Sequence, residues 1–199
     1  MSTEQHSVRQ HILDTGRAII AGKGYSAVGL NEILSAAGVP KGSFYHYFKS
    51  KELFGQAMLD DYVDLYLADL DTMLAPDGSP AATRLLRYFD SWLTFDVDEC
   101  AGSKCLVVKL SGEVADMSEA MRGALLRGTD QIVERLAGCI AAGHADGSIG
   151  AAAEPQPTAL ALYEMWLGAA LLTKLRREPS ALHGAVRSTR ALLGLDAAA

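Results

Sequence analysis

The stretch Gly38-Val39-Pro40-Lys41-Gly42-Ser43-Phe44-Tyr45-His46-Tyr47-Phe48 decides how this chain is read. Just before it, Leu30, Ile33 and Leu34 recur at helical spacing and mark a short helix that Gly38 and Pro40 stop. Gly38 can adopt the positive φ of a tight turn, and a proline is tolerated in the first turn of the next helix, where its missing N–H has no partner to lose. Ser43 to Tyr47 then has room for only a brief third helix. Two short helices joined by a tight, glycine-containing turn are the helix-turn-helix plan, whose second helix enters the major groove of DNA. Val39, Phe44 and Phe48 are spaced to plug the core between these helices.

The outward-facing residues suit a polyanion. Between Gly38 and Lys51 the only formal charges are Lys41, Lys49 and Lys51. Lys41 and Lys51 provide point charges for phosphates, and Gly42 and Ser43 allow close approach. Tyr45, His46 and Tyr47 combine an apolar or stacking surface with a polar tip. Lys51 also opens the next helix, whose N-terminal N–H groups attract phosphate by themselves.

The net charge of −6 over 199 residues runs against a nucleic-acid partner until the chain is divided. Residues 1–56 hold six Lys and Arg against four Asp and Glu, a net of +2, and the remainder holds twelve against twenty, a net of −8. Positive charge is therefore local to the segment of interest.

Working outward, almost everything reads as helix. Val8, Ile12, Gly16, Ile19 and Ile20 give an amphipathic first helix ending near Gly22 or Gly24. A long fourth helix starts behind Ser50 as N-cap and continues through Phe54, Met58, Tyr62, Leu65 and Leu70 to the loop Ala75-Pro76-Asp77-Gly78-Ser79-Pro80. Later helices are expected around Leu85 to Trp92 and at Cys105–Val114, Ser118–Ala145, Thr158–Arg176 and Ala181–Leu193. Their separators are Asp96 to Ser103, Ala115-Asp116, the Asp146–Gly150 turn with Pro155 and Pro157, and Glu178-Pro179. No strand alternation or internal repeat stands out. The expected fold is all-α: an N-terminal three-helix head joined to a C-terminal helical bundle.

The residues also carry a family resemblance. Gly24-Tyr25, then Leu30-x-x-Ile33-x-x-Ala36-Ala37-Gly38-Val39, Lys41-Gly42-Ser43-Phe44-Tyr45-His46-Tyr47-Phe48 and Ser50-Lys51-Glu52-Leu53 resemble the TetR family of bacterial repressors. That resemblance implies a helix-turn-helix DNA-binding head at 6–66, and a regulatory and dimerisation domain at 67–199. It also implies a homodimer on a palindromic operator, with Lys41, Tyr45, His46 and Lys51 at DNA-contact positions. One departure is Gly29, where the family usually has a capping Ser or Thr. Glycine caps more weakly.

For the sensing function two readings stand side by side. One is a pocket for a noncovalent apolar inducer, lined by Tyr88, Trp92, Phe95, Tyr163 and Trp166, residues that are equally suited to bundle core. The other is a reactive thiol. The run Lys104-Cys105-Leu106-Val107-Val108-Lys109-Leu110-Ser111-Gly112-Glu113-Val114, with Trp166-Leu167-Gly168-Ala169-Ala170-Leu171-Leu172-Thr173-Lys174, resembles the NemR-like branch of the family. That branch senses electrophiles such as maleimides, quinones and aldehydes, and by the resemblance Cys105 is the sensing residue. A helix N-terminus and nearby ammonium groups, Lys174 among the candidates, would stabilise its thiolate. Cys100 is a candidate resolving thiol, and Cys139, among Ile132, Leu136 and Ile140, reads as core.

Three cysteines give no disulfide framework, and the five scattered histidines give no metal spacing. Phosphate loops, dinucleotide fingerprints and nucleophile elbows are lacking, so no cofactor is expected. Met1 to Arg9 has no apolar signal-peptide core, and Ala159–Thr173 is too short to span a bilayer. A cytoplasmic regulator with no membrane partner is the expectation. Two rival classes are a small enzyme that uses Cys105 to detoxify electrophiles and a helix-turn-helix adaptor that binds protein. The small residues Gly168, Ala169 and Ala170 beside Leu171 and Leu172, with Ala185, Leu192 and Leu193, suit the close helix packing of a dimer.

Overall fold

The structure is a computed structural model describing residues 3–93 and 106–195. Among these it has nine α-helices and no strand: α1 (Thr3–Lys23), α2 (Leu30–Ala37), α3 (Lys41–Tyr47), α4 (Lys51–Leu74), α5 (Ala81–Asp90), α6 (Leu106–Met117), α7 (Glu119–Ala145), α8 (Pro155–Arg176) and α9 (Ser180–Leu192). The described residues fall into two compact units, 3–65 with 106–128, and 66–93 with 129–195.

In the first unit α1 packs on α2 and α2 on α3. The buried face of α1 presents Ile12, Leu13 and Ile20, which are fully buried, as are Ile33, Phe44 and Phe54 of the same unit. Phe54 lies so close to α1 that a Cβ on Gly16 would stand 2.4 Å from its ring, so a glycine is required there by contact. Ser50 caps α4 as expected, its Oγ accepting from the Leu53 N–H at 3.1 Å.

The break between α6 and α7 falls later than the expected Ala115-Asp116. α6 runs on to Met117 and ends at Ser118, whose Oγ accepts from the Met121 N–H at 3.2 Å and donates to Glu52 at 2.6 Å. Alanine is the strongest helix former, so Ala115 continues α6, and the boundary falls where the Ser118 side chain satisfies a free N–H of the next helix.

In the second unit, α8 starts at Pro155, so both prolines expected to separate helices lie inside its first turn. The first N–H groups of a helix have no intrahelical acceptor, and proline gives up nothing there. α5 is preceded by Pro80, which has no side-chain cap to offer. Its first N–H groups are satisfied from the turn after α7 instead: Ala81 donates to Asp146 at 2.8 Å and Ala82 to the Ser148 hydroxyl at 3.1 Å.

Candidate nucleic-acid interface and regulatory residues

The turn between α2 and α3 has the geometry its sequence demands. Gly38 sits at φ 63°, ψ 27°, and its N–H and that of Val39 close onto the Ser35 and Leu34 carbonyls. Pro40 immediately precedes α3 rather than lying within it, and its carbonyl accepts from Ser43 at 2.9 Å. Gly29 caps α2 through its backbone alone, accepting from Glu32 and Ile33.

The seven residues of α3 form too short a helix to be stable alone. An aromatic triad holds it in place. The ring centroids of Phe44 and Phe48 are 5.2 Å apart, and Phe54 of α4 lies 5.6 Å from the first and 5.2 Å from the second. Phe44 is completely buried and Phe48 nearly so. That anchoring turns Lys41, Gly42, Tyr45 and His46 to solvent, with Ser43 and Tyr47 half-buried. Tyr45 is 42% exposed and the Lys41 ammonium stands 5.8 Å from its ring, so cation and aromatic share one outward patch.

Lys51 is placed differently from Lys41. It is half-buried, its Nζ donating to the Tyr25 carbonyl at 2.9 Å and lying 4.2 Å from the centre of the Tyr25 ring. The Tyr25 hydroxyl returns a 2.8 Å bond to the Lys51 carbonyl. Burial lowers the Lys51 pKa, and Glu113 opposes that shift. Burial, with Glu52 and Glu113 nearby, pushes the Tyr25 phenol up to about 12.

Glu113 of α6 is the residue that sequence reasoning missed. Its carboxylate accepts the Tyr25 N–H at 2.9 Å and the Ser26 N–H, at the turn that ends α1. Gly24 makes this possible twice over, taking φ 93° and leaving the carboxylate only 3.2 Å from where a Cβ would be. Partial burial tends to raise the Glu113 pKa. The hydrogen bonds from Ser26 and Tyr25, together with Lys51, overcome this and hold it below the usual carboxylate range. Lys109, one turn earlier on α6, donates to the Gly22 carbonyl. The one sequence signal was a lone acid at helical spacing from Lys109, indistinguishable from a solvated face.

Among the sensing candidates, Cys105, Cys100 and Phe95 lie outside the described residues. Lys174 is exposed near the end of α8. Tyr88, Trp92, Tyr163 and Trp166 are all buried in the second unit. Phe89 stacks on Trp166 at 5.0 Å, Trp92 meets the same indole edge-on at 5.9 Å, and Tyr88 and Tyr66 share a 2.6 Å hydroxyl contact. The Trp166 indole donates to Thr189 at 2.8 Å. Burial pushes the Tyr88 phenol up to about 12. Cys139 is buried, its thiol 3.5 Å from the Ala81 carbonyl. Burial raises its pKa, and Asp146 adds to the shift while Arg84 opposes it. Such a thiol is a poor nucleophile.

No helix among the described residues is long and apolar enough to cross a membrane.

Comparison with known proteins places this geometry. Residues 12–57 match the profile of bacterial regulatory proteins of the TetR family, and residues 81–189 match the tetracycline repressor-like C-terminal domain. The chain is 36% identical to the HTH-type transcriptional repressor NemR of Escherichia coli K12 over 97% of both chains. It is 36% identical to the transcriptional regulator AcuR of Cereibacter sphaeroides over 90% of this chain and 82% of that one. The crystal structure of the reduced form of E. coli NemR superposes with a TM-score of 0.90 at 37% identity, covering 97% of this chain and 100% of the other. Head, turn and helical body thus agree with sequence and structural relatives alike, and the chain belongs to the TetR family of transcriptional regulators.

Proposed function

We propose that the chain is a repressor that binds a palindromic operator as a homodimer and releases it when an electrophile modifies Cys105. The observation that carries the DNA-binding half is the outward patch of α3, where Lys41, Tyr45 and His46 stand exposed on a helix pinned from behind by buried Phe44. Lys41 takes a phosphate, Gly42 and Ser43 let the backbone approach, and Tyr45 and His46 face base edges. Lys51 serves through the N-terminus of α4 and through the Tyr25 turn that its side chain holds. Residues 6–66 form the head and 67–199 the regulatory and dimerising part, of which Leu106–Gly128 is compact with the head. Leu171, Leu172 and Leu175 of α8 and Leu192 of α9 are 40–71% exposed, which supports a dimer formed on these helices.

Lys41→Ala tests the α3 patch. Operator affinity measured by fluorescence anisotropy should fall, and the slope of log K against log salt should flatten by about one unit, as for the loss of one phosphate contact. An unchanged slope sinks the assignment.

The thiol reading draws support from the similarity to NemR, whose crystal structure is of a reduced form. Cys139 is no rival to it, because burial and a raised pKa make that thiol a poor nucleophile. Cys105→Ser should keep full operator affinity and lose release by N-ethylmaleimide or methylglyoxal. A variant that still lets go at the wild-type electrophile concentration rejects Cys105. Lys174→Ala, if that ammonium supports the thiolate, should slow labelling of Cys105 at pH 7. One label per thiol, without turnover, separates a sensor from an electrophile-consuming enzyme. A noncovalent inducer among Tyr88, Trp92, Tyr163 and Trp166 is the second reading, and it would survive Cys105→Ser.

A further inference from the structure

The second unit contains a cation that its fold does not neutralise. Arg84 of α5 is 6% exposed, and arginine is seldom buried to that degree without a paired acid. Its Nε donates to the Leu74 carbonyl at 3.1 Å and its Nη1 to the Ser79 carbonyl at 2.5 Å. The first bond meets the C-terminal end of α4, whose dipole offsets part of the charge, and the second holds the loop that follows. They use two of five N–H donors. None of the ion pairs among the described residues includes Arg84, and Asp146, which acts on it at longer range, is itself engaged by Ala81 and Ser148.

Arg84 lines a cleft of about 250 Å³. Leu74, Pro76 and Ala142 supply apolar walls, and the Cys139 side of α7 closes it. At the rim Arg135 and Asp71 neutralise one another through a 2.7 Å bond, so the net charge facing the cleft is that of Arg84. Gly138, one turn beyond Arg135, also lines the cleft, and a Cβ built there would meet nothing within 4 Å. A glycine in mid-helix costs about 1 kcal/mol against alanine, and no close neighbour requires it at this position. A larger side chain at this lining position would enter open space.

We propose that this cleft binds a small organic monocarboxylate, with its carboxylate on the remaining guanidinium donors of Arg84 and its hydrocarbon part against Leu74, Pro76 and Ala142. A planar fork matches a carboxylate in geometry as well as charge. The cleft is worth about eight water volumes at ~30 Å³ each, which limits the ligand to roughly that many non-hydrogen atoms. The site uses neither Cys105 nor the aromatic cluster, so it gives the regulator a second chemical input.

The test is calorimetric titration of the full-length protein with propionate, butyrate and benzoate. Each is compared with its neutral amide, with sodium chloride at equal ionic strength as the control. At least one acid should bind saturably at one per chain and raise Tm, while its amide and chloride do neither. Gly138→Leu, which fills the cleft without touching a charge, should weaken that binding at least tenfold, and Gly138→Ala should stabilise the chain and bind less tightly. Arg84→Met should abolish binding if it folds; if it does not, Gly138→Leu decides. Absence of saturable binding for all three acids, equal binding of the amides, or wild-type affinity in Gly138→Leu overturns the site. Operator binding is not read in this experiment, so its outcome is separate from that of the repressor proposal.

Discussion

Phe44→Ala is expected to abolish operator binding and to cost about 3–5 kcal/mol of stability, the range for removing a fully buried aromatic ring. The whole ring is inside, and three further rings, of Tyr45, Phe48 and Phe54, lie within 5.6 Å of it, so little can collapse into the space left behind. A small domain has only about 5–15 kcal/mol in hand. The loss should fall hardest on α3, a two-turn helix whose position depends on this one contact with Phe48 and Phe54. Urea unfolding and anisotropy on operator DNA measure the two effects. Phe44→Leu, closer in volume, should lose less stability and retain measurable binding. Full affinity in the alanine variant would mean that α3 is held by something other than the triad.

The second large effect is expected at Glu113. Glu113→Ala removes the acceptor of two backbone N–H groups at the α1–α2 turn and the countercharge of Lys51. Hydrogen bonds to a charged group contribute about 1.5–3 kcal/mol each when sheltered, and water replaces part of that at this half-buried site. A net loss of about 1–3 kcal/mol is therefore expected, with weaker operator binding although Glu113 belongs to α6 and not to the α3 patch. Hydrogen exchange should show faster exchange at Tyr25 and Ser26. Glu113→Gln keeps an acceptor and should recover part of the loss.

The pH dependence has a defined sign. Because the folded-state pKa of Glu113 is depressed, its contribution is complete above the unfolded value near 4.3 and is lost as pH falls through the folded value. The wild type should therefore lose stability below about pH 4.3 more steeply than Glu113→Gln, and parallel curves would remove Glu113 from the account.

These two residues differ in how far the sequence reveals them. Phe44 was legible because helical spacing placed it behind Gly38 and Pro40, and spacing fixes which face of a short helix turns inward. The glycine at the turn was legible for a similar reason, since only local backbone geometry was in question, and φ 63° is what a tight turn imposes. Exposure of Lys41, Tyr45 and His46 followed from the same periodicity. Lys51 was placed at the right helix terminus, but the attachment of its ammonium to Tyr25 was not legible, because the partner lies 26 residues away.

Local chemistry therefore settled the helices, the turn and the outward patch of this protein from sequence by itself: propensity, capping and period are properties of neighbours along the chain. Even there, the end of α6 and the start of α8 moved, because Ser118 and the first-turn prolines answer to hydrogen bonds that a residue count does not show. Tertiary structure decided the rest. It put the Glu113 carboxylate on a turn 88 residues away, brought Phe54 against Gly16, and left Arg84 buried beside a cleft that Gly138 lines. The physical reason is common to all three: burial and electrostatic pairing depend on distance in space, and only the folded chain sets those distances.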